Sequence, residues 1–313
     1  MGDAGAHCKG ARHPPVRVRA KGRVLMSQVA VIADSTTSLP ESFYERYGLL
    51  MIPYYVHLEG RVLRDMVDIK PAEFNAYMAS LPDGAQLPRT ATPGPGDYLT
   101  AFRQAAQRAS QIISFHMTST GSGAYQAARV ACEMAAQQLK HVRIEVVDTR
   151  NVSMCHGWMA LQAARAAIEG ATLDDILAFV RRAIPTARML QTADTLRYLY
   201  MGGRIGRAQH LVGSMLHIKP LISMEDGVIV TLGVARSRQG AYQRMAALVE
   251  KAVGTGGRMR LALTHAAAQA DAEALRQLVA RVIAPVETLM CELCPALTVH
   301  SGPGTVGLCY LPE

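Results

Sequence analysis

Three times in its first half the chain repeats one junction. A short apolar run ends in a loop of acidic, hydroxyl or glycine residues, and a helical pattern follows. The first run is Gln28-Val-Ala-Val-Ile-Ala33, ahead of Asp34-Ser-Thr-Thr-Ser38. The second is Gln111–His116, ahead of Met117-Thr-Ser-Thr-Gly-Ser-Gly123, and the third is 142–147, ahead of Asp148. Strands that feed helices through such loops predict a mostly parallel α/β sheet. In such sheets ligands bind beyond the carboxyl ends of the strands, which is where Asp34, the 117–123 loop and Asp148 would converge.

The spacing predicts further strands at 49–58 and 61–64 and helices at 70–80, 95–108, 121–139 and 152–168. The pattern changes after about residue 170. Helices are expected at 172–183, 193–201, 237–252 and 269–282, with strands at 187–191, 258–263 and 286–290. Glu225-Asp-Gly227 between two apolar runs predicts a hairpin over 218–224 and 228–234. A strand pair around 296–311 ends the chain. We therefore expect a parallel α/β domain over 26–170 and an α+β second domain over 171–313. A chain of 313 residues, half of them hydrophobic, is long enough to fill two such cores.

Charge and cysteine usage exclude several function classes. The net charge of +8 is concentrated at one end: residues 1–25 hold six basic side chains against one acid. The body has no basic run interleaved with aromatics, so it does not read as a nucleic-acid binder. Residues 1–25 lack an apolar stretch of the secretory kind and read as a disordered or untranslated basic extension, with Met26 as a second possible start. No run of about 18 apolar residues is present, so no transmembrane segment is expected. The six cysteines show no disulfide spacing, which fits the cytoplasm. Cys291-x-x-Cys294 has no second pair at zinc-site spacing, so no metal is expected.

The 117–123 loop carries the most chemistry. Thr118, Ser119, Thr120 and Ser122 offer hydroxyls, and Gly121 and Gly123 let a ligand approach the backbone at a helix start. The loop lacks the Gly-x-Ser-x-Gly spacing of a hydrolase elbow and the Gly-Lys ending of a phosphate loop. It suits a carboxylate cradle, or equally a set of helix caps. Asp34 has Thr36 where a paired carboxylate would stand, so it reads as an organiser of loop N–H groups. Arg204 follows Gly202-Gly203, Thr90 precedes Ala91-Thr-Pro93, and His300 precedes Ser301-Gly-Pro-Gly304.

Taken in order, these segments resemble the DegV family of bacterial fatty-acid-binding proteins. The likeness is carried by Asp34-Ser-Thr36, Arg89-Thr-Ala-Thr-Pro93, Thr118 to Gln126, Val147-Asp-Thr-Arg150, Asp194 to Leu199 with Gly202-Gly-Arg-Ile205, Leu216 to Leu221, and His300-Ser-Gly-Pro-Gly304. It covers about residues 28–311. The resemblance implies a two-domain α/β fold with a long-chain fatty acid in an apolar tunnel between the domains. It implies that Thr90, Ser119 and His300 meet the carboxylate, and that Asp34, Ser35, Thr118 and Gly123 support the loop. Arg204, with Arg236, would lie at the mouth, where a separate fatty acid kinase docks. No cofactor is implied, and the chain would carry the acid rather than act as the enzyme. The alternative is an enzyme acting on acyl or phosphoryl groups with Ser119 and His300.

Overall fold

The computed structural model describes residues 16–20, 23–82, 84–214, 218–254 and 256–313. In chain order it runs β1 (Val16–Ala20), β2 (Arg23–Ser27), β3 (Val29–Asp34), α1 (Glu41–Tyr47), β4 (Leu50–Ile52), β5 (Tyr55–Leu58), β6 (Arg61–Arg64), α2 (Pro71–Ser80), β7 (Arg89–Ala91) and α3 (Pro95–Ala106). Next come β8 (Gln111–His116), α4 (Ala124–Gln138), β9 (Arg143–Asp148), α5 (Ser153–Ile168), α6 (Leu173–Ala183), β10 (Arg188–Thr192) and α7 (Arg197–Met201). The last are β11 (Lys219–Glu225), β12 (Val228–Ala235), α8 (Arg238–Val253), β13 (Met259–His265), α9 (Gln269–Ala280), β14 (Glu287–Glu292), α10 (Pro295–Ser301) and β15 (Val306–Pro312).

The junctions read from the sequence build a four-stranded parallel sheet, ordered β4-β3-β8-β9. Both of its faces are covered. Along β3, Val29, Val31 and Ala33 face α5, while Ile32 faces α3 and α4. A second sheet of six strands, ordered β12-β11-β10-β15-β13-β14, is antiparallel except between β13 and β14. Its residues alternate in the same way: Met189, Cys309 and Leu311 face α5, and Leu190, Leu308 and Tyr310 face α8 and α9. Helix α5 is thus the middle layer between two sheets. Hydrophobic around most of its circumference, it is buried at twelve of its sixteen residues. A three-stranded sheet, β6-β5-β7, packs with α2 and with Val299 of α10.

Local chemistry fixes the elements. Thr172 and Asp175 cap α6 reciprocally, each side chain bonding the other's backbone N–H. Ser237 caps α8 through the Gly240 N–H. Asp226 and Gly227 both have positive φ, the geometry that turns a two-residue hairpin between β11 and β12.

The structure corrects three expectations. The strand expected at 49–58 is two strands in different sheets, because Pro53 has no N–H to continue a ladder. The helix expected at 193–201 is confined to Arg197–Met201, where the Thr195 hydroxyl accepts from the Arg197 N–H. Residues 295–301 form α10 and not a strand: Pro295 opens the helix and Gly302, at φ +80°, ends it. The basic extension over 1–25 lies mainly outside the described residues. Within it Val16-Arg-Val-Arg-Ala20 alternates with period two and pairs with Arg23–Ser27, a pattern the sequence reading passed over. Among the described residues no helix is long and apolar enough to cross a membrane.

Candidate functional site

The 117–123 loop is strung between the carboxyl ends of three neighbouring strands. The Met117 N–H donates to Asp34 Oδ2 at 3.2 Å, and the Thr36 N–H donates to Asp34 Oδ1 at 3.0 Å. On the other side the Ser119 N–H donates to Asp148 Oδ1 at 3.3 Å. Asp34 and Asp148 therefore shape the loop from beneath. Ser35 lies deeper, its hydroxyl donating to Asp65 Oδ2 at 2.6 Å. Burial pushes the Asp65 carboxyl up to about 6, although Ser35 and the Ala296 N–H at 3.2 Å bond its oxygens.

The four loop hydroxyls have unequal fates. Thr118 and Thr120 both donate to the carbonyl of Gly227 at the hairpin tip, Thr118 at 2.9 Å. Ser122 pairs with the Tyr54 hydroxyl at 2.6 Å and accepts from the Ala124 N–H at 3.2 Å. Ser119 is exposed, and its hydroxyl has no partner among the described residues. A turn closed by the Gly121 N–H on the Thr118 carbonyl delays α4 until Ala124, three residues later than expected. Gly123 is its N-cap, and a side chain there would come into contact with the Thr92 methyl, so the threonine loop runs beside the 117–123 loop.

His300 sits in the last turn of α10, and its Nε2 is 2.8 Å from Thr90 Oγ1. Its Nδ1 is buried without a partner and lies against Gly202, where a side chain would collide with it. Burial, helped by the Arg204 cation, pushes the imidazole down to about 4, so it is neutral near pH 7. Exposed Arg204 donates from Nη1 to the Gly202 carbonyl at 2.7 Å and from Nε to the Gly121 carbonyl at 3.4 Å.

These pieces enclose a cavity of about 730 Å³. Ser119, Ser122, Arg204 and His300 give it polar wall. Met117, Met189, Leu199, Ile222, Met224 and Leu293 give it apolar wall, drawn from β10 and β11 of the six-stranded sheet, from α7 and from the loops after β8 and β14. The structure thus joins Thr90 to His300 directly and places Ser119, His300 and Arg204 on one cavity. Thr118 and Gly123 line the same cavity, while Asp34 and Ser35 lie below the loop. Arg236 is exposed and absent from the cavity wall. No hydrogen bond joins Ser119 to His300 among the described residues.

Sequence reading missed a clamp behind the site. Arg238 is half-buried: Nη2 donates to Asp194 Oδ2 at 2.5 Å and to the Gly304 carbonyl at 2.9 Å, and Nη1 to the Tyr242 hydroxyl at 3.2 Å. Lys219 Nζ meets Asp194 Oδ1 at 2.5 Å. Burial alone would raise the Asp194 carboxyl, but Arg238 and Lys219 outweigh it and hold it below the usual range. The clamp fixes the turn after His300. Its only sequence signal is that Asp194 and Gly304 each belong to a glycine-bearing motif. Cys132, Cys155, Cys291, Cys294 and Cys309 are buried free thiols, and Cys8 lies outside the described residues.

Comparison with known proteins places these features in one group. The family model described as "Uncharacterised protein, DegV family" matches residues 28–313. A DegV domain-containing protein of Streptomyces coelicolor is 35% identical over 286 residues, spanning 90% of this chain and 97% of the relative. The solved structure described as fatty acid binding of a DegV family protein from Thermus thermophilus superposes with a TM-score of 0.84 at 30% identity, covering 91% of this chain and all of that one. DegV of Bacillus subtilis, described as a fatty acid binding protein, gives 0.81 at 26% identity, with 92% and 100% covered.

Proposed function

Because this chain belongs to the DegV family, we propose that it binds a long-chain fatty acid in the 730 Å³ cavity and presents the carboxylate to a separate fatty acid kinase. The observation that carries the reading is the spare hydroxyl of Ser119. Of four loop hydroxyls it alone has no described protein partner, and it stands on a cavity whose remaining wall is largely apolar. Volumes of about 300–1,000 Å³ suit small organic ligands. An acyl chain of about 15 methylenes contributes about 12 kcal/mol gross on burial, at about 0.8 kcal/mol each. Ordering the chain and desolvating the head group offset part of that.

A buried carboxylate is costly without donors. Ser119, Thr90 and His300 would supply them. Where the neutral imidazole carries its hydrogen on Nε2 and donates to Thr90 Oγ1, the Thr90 hydroxyl hydrogen is left for the carboxylate; in the other tautomer Thr90 donates to Nε2. Held by neutral groups, the carboxylate keeps its charge and its nucleophilic lone pairs. The protein on this reading is a carrier and not the catalyst, working in the cytoplasm where its thiols stay reduced. Arg204, with Arg236, would face the kinase.

Native mass spectrometry of gently purified protein should find a co-purified acid of about 16–18 carbons, in the ligand class such cavities take. After delipidation, Ser119→Ala should weaken fatty-acid binding about tenfold, the worth of a hydrogen bond to a charged group, with unchanged far-UV circular dichroism. Undiminished affinity in Ser119→Ala removes the cradle. Absence of lipid, together with ester hydrolysis that Ser119→Ala abolishes, replaces the carrier by an enzyme.

A further inference from the structure

One polar side chain on the cavity takes no part in the cradle described above. Gln191 lies on β10, an interior strand flanked by β11 and β15. Its neighbour Leu190 faces α8 and α9, so Gln191 points to the other side of the sheet, as Met189 does. There it is partly buried and lines the 730 Å³ cavity beside Met189 and Ile222. Because its strand is interior, what remains exposed of it opens on the cavity. Its amide has no hydrogen bond among the described residues. On β15, Gly307 stands between Gln191 and Thr264 of β13, opposite each in register. The Thr264 hydroxyl leans over that glycine. Its Oγ1 lies 2.9 Å from where a Gly307 Cβ would be, and Gln191 Cβ lies 3.5 Å from the same point. Thr264 Oγ1 likewise has no hydrogen-bond partner among the described residues.

A plain hydrocarbon tail laid on this floor would strip the amide of water and return no hydrogen bond, and a buried polar group left unpaired is costly. The carboxylate has its donors elsewhere: Ser119, Thr90 and His300 stand on the 117–123 loop, β7 and α10, and none stands on this sheet. We propose that the acid this cavity selects carries a hydroxyl group on its acyl chain, with Gln191 as the residue that recognises it and Thr264 as a second partner across Gly307. The proposal rests on the fatty-acid reading above and names the class of acid. A hydroxyl both donates and accepts. A glutamine amide offers a carbonyl oxygen and an NH2 group, so it answers a hydroxyl in either orientation. Met189, Ile222 and Met224 take the unsubstituted part of the chain. A site built around such a bond rejects the analogue that lacks it more strongly than an apolar wall separates one hydrocarbon from another.

The test uses delipidated full-length protein and displacement of a fluorescent fatty acid. The probes are stearate and hydroxystearates substituted near the carboxylate, at mid-chain and near the tail end. The readout is the dissociation constant of each hydroxy acid divided by that of stearate. The unmodified protein should bind at least one hydroxystearate as tightly as stearate or more so. In Gln191→Leu the ratio for that acid should rise about tenfold, the worth of the hydrogen bond lost. Thr264→Val, close in shape and without the hydroxyl, should raise the same ratio about threefold. A preference of the unmodified protein for stearate over every hydroxystearate, or a ratio unchanged in Gln191→Leu, overturns the proposal and leaves the fatty-acid reading standing. Should Gln191→Leu fail to fold, an unchanged ratio in Thr264→Val decides in its place. Failure of the unmodified protein to bind any of these acids overturns the fatty-acid reading and this proposal with it.

Discussion

Four imidazoles, His116, His156, His265 and His300, are held below their ordinary value, and burial is the first cause for each. His116 is pushed down to about 3, with His156 adding repulsion, although Asp34 stands 3.9 Å and 3.8 Å from their Nδ1 atoms. A histidine with a depressed folded value binds fewer protons folded than unfolded between that value and 6.5. Stability there rises with pH: the full contribution is present above about 6.5 and is lost as pH falls towards 3 to 4. Asp65 acts oppositely, since its folded value of about 6 favours the protonated form, and so regains stability over part of that range. Four groups against one give a net loss in acid. The urea midpoint should fall between pH 7 and pH 4.5, and His116→Asn should flatten the fall. A midpoint flat across that interval contradicts the assignment of neutral buried imidazoles. The same residues mark what sequence could convey. Thr118, Ser119, Thr120 and Ser122 are chemically alike in a string of letters. Only the position of the Gly227 carbonyl and the Tyr54 hydroxyl leaves Ser119 spare. Arg238 likewise needed Asp194 and Gly304, distant in sequence, to show itself as a clamp.

Among the elements, the β11–β12 hairpin connects the second sheet to the ligand loop. Its turn uses positive φ at Asp226 and Gly227, and a side chain at Gly227 would run into the Thr118 hydroxyl. Gly227→Ala should therefore destabilise the protein by about 1–3 kcal/mol through backbone strain and crowding. It should also weaken fatty-acid binding, because Thr118 and Thr120 lose the carbonyl that orients the loop. Thermal melts and ligand titration test both effects; a variant with wild-type affinity would separate the hairpin from the site. The elements most legible in sequence were those with local signals: the parallel strands β3, β8 and β9, the Asp-Gly hairpin, and the long helices with clear periodicity. Those misread were decided by single residues or by distant partners. Pro53 splits one apolar run between two sheets. Residues 295–301 become α10 because the Asp65 carboxylate accepts from the Ala296 N–H and Val299 packs on the three-stranded sheet. Neither partner is visible from the local sequence.

For the molecule as a whole, the question is whether the two large sheets behave as separate bodies. The strands of one end at Asp148 and those of the other begin at Arg188, so the chain divides the two sheets between these residues. Packing crosses that division. Trp158 of α5, the only tryptophan, is fully buried, and its Nε1 donates to the Cys309 carbonyl of β15 at 3.4 Å. One hydrophobic cluster runs from Val29 and Phe115 in the first sheet through Met154, Trp158 and Leu161 to Met189, Ala262 and Leu311 in the second. On the α5 side of a face, close approach is also required: a side chain at Gly157 would meet Met154 and the Thr37 carbonyl. Neither sheet can keep this layer dry alone, so separating them would expose apolar surface on both. Urea unfolding should then be a single transition, with Trp158 fluorescence and far-UV circular dichroism superimposed. A ligand held between the sheets should raise both curves together, by about 2.7 kcal/mol at a free concentration of about 100 times its dissociation constant. Two resolved transitions, or a ligand that shifts the fluorescence curve alone, would mean that α5 belongs to one sheet and that the cavity opens by parting from the other.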